Sequence, residues 1–171
     1  MLTSCSDILD KEVDLTLQED QIFSKFENTR GFLANVYTYL PDAFVGYTDG
    51  QFRGASRDCM TDNCLSYWNV HYYHSVLNDS YDATNHYFAN AYWNNDLKGI
   101  RAANQFMDKA RESVIGNASK PGDDNHLYTR YVAEARFIRA LLHFDKVSYL
   151  RAVPLEDNVL SKDADAAIER P

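Results

Sequence analysis

The chain alternates between stretches with a helical repeat of apolar positions and stretches with none. Thr16 and Glu19 stand three apart, the spacing of a capping box, and predict a helix start with a short helix through Phe23. Phe32, Leu33, Val36, Tyr37 and Leu40 recur at one, three, one and three residues, predicting a second helix that starts near Asn28, a good N-cap residue, and ends at Pro41. From Asp42 to Thr84 neither the helical nor the strand period is sustained, and Gly46, Gly50 and Gly54 punctuate a polar, aromatic stretch. This reads as a long ordered loop with one short helix around Cys64 to Val70; loops of such length inside compact domains often carry function. A long helix is predicted from about Asn85 to Glu112, on which Tyr92, Trp93, Leu97, Ile100, Asn104 and Met107 recur at three and four. Gly116 is its stop signal, and the turn formers of Asn117 to Asp124 make a connection. The strongest pattern runs from about Asp124 to Tyr149, with Tyr131, Val132, Ala135, Ile138, Leu142 and Val147 on an apolar side and Ala133 and Ala140 allowing close approach. Two long helices joined by a short polar loop should pack as an antiparallel pair. The fold class is therefore all-α.

Composition narrows the partners. At 171 residues the chain can bury one core of useful size, and one domain is the default. A net charge of -8 argues against nucleic acid, whose binding depends on basic residues displacing counterions. No apolar run approaches the length needed to cross a bilayer. Twelve Tyr and nine Phe are more informative, because a tyrosine joins a stacking ring to a polar tip.

One segment carries a specific likeness. Tyr131-Val132-Ala133-Glu134-Ala135-Arg136-Phe137-Ile138-Arg139-Ala140, continuing through Phe144 to Val153-Pro154-Leu155, resembles the alanine-glutamate-alanine-arginine helix and the following valine-proline-leucine of the SusD/RagB family of Bacteroidetes outer-membrane lipoproteins. Tyr92 to Ile100 with Asn104 is similar to the preceding helix of that family, and Thr16 to Phe23 with Gly31 to Leu40 to its opening. Tyr131, Ala140 and Phe144 also fall at the mutual spacing of three signature positions of one tetratricopeptide repeat. The resemblance implies a SusD-like helical fold with tetratricopeptide-like helix pairs and a long ordered loop: a tether over 1–15, a helical domain over 16–155, and the start of an incomplete continuation over 156–171. It implies a non-enzymatic module, with no catalytic residues, cofactor or metal, that captures oligosaccharide at the cell surface for a SusC-like TonB-dependent transporter. The chain departs from the family at Leu150-Arg151-Ala152, where a glycine-containing turn is usual, and members are much longer.

Leu2-Thr3-Ser4-Cys5 fits the lipobox that precedes an acylated cysteine, which makes Cys5 the expected lipid anchor to the outer membrane. Starting at Met1, the sequence as given would itself stay unlipidated and soluble.

Sugar binding needs flat rings beside short amides and carboxylates. The stretch from Tyr67 to Asn85 supplies both. Trp68, Tyr72 and Tyr73 are the candidate stacking platform, with Asn69, Asp79 and Arg57 as hydroxyl partners. The competing reading is that these rings plug the loop onto the helices. His71 and His74 lack the further ligands of a zinc frame. Cys59 and Cys64 could close a small disulfide loop or stand as two thiols. Asp58 and Asp62 lack the defined separation that an acid–base pair across a sugar requires. Glu134, Arg136 and Arg139 read as structural, making ion pairs or capping neighbouring loops. A helical protein-interaction scaffold without a sugar site is the alternative function.

Overall fold

The computed structural model describes residues 18–41, 57–64, 75–82, 84, 87–116 and 126–160. Among these residues the regular structure is helical and no strand occurs: α1 (Glu19–Phe23), α2 (Phe26–Tyr37), a 3-10 turn (Arg57–Met60), α3 (Tyr87–Lys109), α4 (Glu112–Ile115) and α5 (Leu127–Leu150). The protein is all-α, as its periodicity predicts.

Helix starts differ from expectation by a few residues. Thr16 lies outside the described residues, and α1 begins after Gln18, whose backbone N–H donates to Gln21 Oε1 at 3.2 Å. The second helix begins at Phe26, two residues before Asn28. Asn28 instead donates its amide to the Gln21 carbonyl at 3.2 Å, tying the helix to the one before it. The hydroxyl of Thr29, fully buried, lies 3.1 Å from the Ile22 carbonyl and 3.0 Å from that of Lys25, so the corner between the helices costs no unsatisfied polar group. Residues 65–70, part of the expected short helix, lie outside the described residues; the 3-10 turn falls earlier, at Arg57–Met60.

The antiparallel pairing of the two long helices is present. Trp93 meets Lys146, Gly99 meets Leu142 and Asn104 meets Arg139, so positions climb on α3 as they fall on α5. Gly99 makes this approach possible: a Cβ there would sit 2.5 Å from Leu142 Cδ1 and 2.7 Å from Tyr39 Cβ. Around the contact lies one core, with Leu33 and Val36 from α2, Ile100, Ala103 and Phe106 from α3, and Tyr131, Ala135, Ile138 and Leu142 from α5. Phe23 tilts against Phe32 and Phe106 at centroid distances of 5.1 and 6.5 Å, the inclined geometry aromatic rings prefer.

α5 has two apolar faces rather than one. Tyr131, Ala135, Ile138 and Leu142 are buried at spacings of four, three and four. Two residues further round at each step, Ala133, Phe137, Ala140, Phe144 and Val147 make a second seam at spacings of four, three, four and three, and all five are exposed. Phe137 is 67% exposed and Phe144 69%. Two residues turn a helix by about 200°, so this seam faces away from the core. The expectation that Val147 joins the core face, and that Ala133 and Ala140 serve close packing there, is thereby corrected.

Candidate functional site

After α5 the chain turns back along the helix pair. The turn is made at Arg151 with φ 61° and ψ -101°, a backbone state that glycine adopts far more readily than arginine. Val153 buries, and the arm over 156–160 then crosses the seam between α3 and α5.

Side chains from both helices hold this arm by its backbone. Asn104 donates its amide to the carbonyls of Glu156 at 3.1 Å and Asn158 at 2.9 Å, while its own Oδ1 accepts from Arg139 Nη1 at 2.8 Å. The same guanidinium nitrogen donates to the Asp157 carbonyl at 2.8 Å, and Arg101 reaches the Leu160 carbonyl at 3.0 Å. An arm without regular structure has no ladder for its carbonyls, and these donors satisfy them. Arg139 was expected to cap a neighbouring loop, and does so. Glu134 pairs with Arg130 at 3.3 Å on the exposed side of α5. Partial burial, together with the Glu134 carboxylate that its hydroxyl faces, pushes the Tyr37 phenol above its ordinary value.

Deeper in lies a buried ion pair. Lys146, with no exposed side-chain surface, donates to both Glu156 carboxylate oxygens at 2.9 and 3.2 Å, and its ammonium sits 4.5 Å from the centre of the Trp93 ring. His143 Nε2 lies 3.2 Å from the Glu156 carbonyl, which fixes the ring proton on that nitrogen, and Nδ1 is buried with no partner among the described residues. Burial lowers the His143 pKa from its ordinary 6.5, opposed by the nearby Glu156 carbonyl and carboxylate and assisted by Lys146 and Arg139.

The arm leaves a cleft on each flank. One, of about 260 Å³, is mainly apolar and runs past Leu97, Ile100 and Leu160. The other, of about 440 Å³, is open and polar: Asp108, Arg136, Arg139, Asp157 and Asn158 stand around Met107 and Val159. Carboxylates, guanidinium groups and a carboxamide in one groove can donate to and accept from a ligand rich in hydroxyl groups. Sequence reasoning missed this groove. Its arm residues carry no periodic signal, and only the Asn104 placed among apolar positions hinted at a buried polar contact.

Most of the sequence-derived site is not among the described residues. Trp68, Asn69, Tyr72 and Tyr73 lie outside the described residues, as does Cys5. Arg57 opens the 3-10 turn. Asp79 is exposed, with φ 57°, in a turn where Ser80 N–H and Tyr81 N–H both donate to the Ser75 carbonyl at 2.9 and 3.0 Å. Cys59 is buried and Cys64 exposed, with their sulfurs 3.5 Å apart and not covalently joined. Among the described residues there is no group of three or more His, Cys, Asp or Glu placed to hold a metal ion, and no helix long and apolar enough to cross a membrane. No family model, curated protein or solved structure matches the chain.

Proposed function

We propose that the chain is a non-enzymatic glycan-capturing module of a SusD/RagB-like surface lipoprotein, anchored to the outer membrane through Cys5 and delivering oligosaccharide to a SusC-like TonB-dependent transporter. The observation that carries the reading is the polar groove beside the arm, whose volume of about 440 Å³ lies in the range of small-ligand sites and whose lining alternates charge, amide and short apolar surface. The α5 segment that resembles the family lends Arg136 and Arg139 to this groove, and Arg139 and Lys146 tie that helix to Asp157 and Glu156 of the arm. In this reading the groove binds the hydroxyl rim of a sugar, and Trp68, Tyr72 and Tyr73, with Asn69, Asp79 and Arg57, are proposed from the sequence alone to add stacking and hydroxyl contacts.

The test is a titration of the full chain with a panel of oligosaccharides, followed by tryptophan fluorescence. Trp93→Phe leaves Trp68 as the single reporter. Saturable change with a member of the panel, and affinity lowered tenfold or more in calorimetric titration by Trp68→Ala or by Arg136→Ala with Asp157→Ala, supports capture and says which part dominates. A panel without saturable change refutes it.

A second reading, a protein-interaction scaffold, is favoured by the exposed seam of α5. Its occupant is a second copy of the chain: in an antiparallel pair staggered by one seam position, Phe137 meets Ala140 and Phe144 meets Ala133 of the other copy, large against small, as interdigitating helices require. Sedimentation that shows a dimer, lost in Phe137→Glu with Phe144→Glu, supports this reading. A monomer at all concentrations excludes it.

A further inference from the structure

Cys59 ends its side chain inside the protein, 4% exposed, one residue before the end of the 3-10 turn, and Cys64 lies exposed just past that turn. Between them the backbone is already bent back. Thr61 N–H donates to the Asp58 carbonyl at 3.0 Å, its hydroxyl donates to the same oxygen at 2.8 Å, and Asn63 N–H donates to that hydroxyl at 3.2 Å. These bonds hold the two sulfurs in contact at 3.5 Å. A covalent bond needs them to close by only about 1.5 Å.

We propose that Cys59 and Cys64 are a disulfide-forming pair, oxidised by thiol–disulfide exchange with a small-molecule disulfide of the glutathione class. Access sets the order of events. The exposed Cys64, as its thiolate, attacks one sulfur of the small disulfide; a bond forms between Cys64 and that half, and the other half leaves as a thiolate. Cys59 then attacks Cys64 Sγ, the mixed disulfide breaks, and the second half leaves. The protons lost by the two cysteines end on the two departing thiols, so the cysteine sulfurs are oxidised and the small disulfide is reduced. The hydrogen bond to Cys59, with desolvation and the nearby Asp58 carboxylate, raises the Cys64 pKa above its ordinary value, so the first step accelerates as pH rises through the mildly alkaline range.

The experiment uses the full chain with Cys5→Ser, so that only this pair can react, incubated with oxidised glutathione and then alkylated without reduction for mass analysis. The expected product has lost two hydrogens, carries no glutathione and takes up no alkyl group; adding Cys59→Ser should instead leave one glutathione on Cys64. In the Cys64→Ser chain, Cys59 should stay unmodified over the time in which the pair closes. Persistent glutathione on Cys64 while Cys59 is intact would overturn the proposal, as would two alkyl groups after prolonged oxidation.

Discussion

Replacing Glu156 with Gln removes one charge from a pair that the fold has closed off from water. The Lys146 side chain has no exposed surface and that of Glu156 is 9% exposed, so the variant leaves an ammonium whose remaining stabilisation is the Trp93 ring and a neutral amide oxygen. The ring contact is present before and after the change and cancels. Breaking a buried pair from one side costs about 3–5 kcal/mol, and retention of one neutral acceptor places Glu156→Gln near the lower end, about 3 kcal/mol. For a chain of this size that corresponds to a fall in Tm of about 6–12 °C. Glu134→Gln is the control, because the Arg130–Glu134 pair is 56% and 30% exposed and such a pair contributes about 1 kcal/mol or less. Lys146→Met with Glu156→Leu should recover most of the loss, since the pair is then replaced by apolar volume and no charge is stranded. Urea unfolding of the four proteins measures the differences directly. If Glu156→Gln is as mild as Glu134→Gln, or if the double variant is worse than the single, the ion pair does not hold the arm in the way described.

Gly99→Ala should destabilise the chain by about 1–2 kcal/mol in thermal unfolding: alanine favours helix by about 1 kcal/mol, but the added carbon meets Leu142 and Tyr39 below 3 Å, and overpacking costs more. Arg151→Gly should stabilise it by about 1 kcal/mol by relieving the positive φ, and an unchanged midpoint would argue against strain there. His143 titrates lower in the folded chain than its ordinary 6.5, so as pH falls below that value the unfolded chain takes up the proton first; this contribution to stability is complete above about pH 6.5 and declines below it. His143→Gln should therefore flatten the fall in stability between about pH 7.5 and pH 5.5, and an unaltered slope would assign that fall to other groups.

Wherever one periodicity dominated, the sequence was legible. Ile100, Asn104 and Met107 on α3, and Ala135, Ile138 and Leu142 on α5, placed both long helices and their packing. Boundaries slipped because a cap is a local contact that several residues can supply: Gln21 does for α1 what Glu19 was expected to do. The outer seam of α5 was hidden because two apolar stripes, offset by two residues, fill a helix so evenly that Val147 looked like a core position. The arm was the least readable part. Glu156 is one of many acidic residues, and nothing local distinguishes the one that meets a lysine ten positions back across a turn. Arg139 reads from the sequence as a loop-capping residue, yet its partner, the Asp157 carbonyl, belongs to the backbone and leaves no trace in residue type.

Calorimetric titration of the full chain with oligosaccharides addresses glycan capture most directly, because it needs neither a reporter residue nor a partner protein. The account predicts saturable, one-site heat with at least one oligosaccharide, no change in the sugar's chain length afterwards, and weaker binding when Arg136 and Asp157 are both replaced by Ala. Flat titrations across the panel, from a chain that sediments as a dimer through Phe137 and Phe144, would contradict it and leave the helical scaffold as the function.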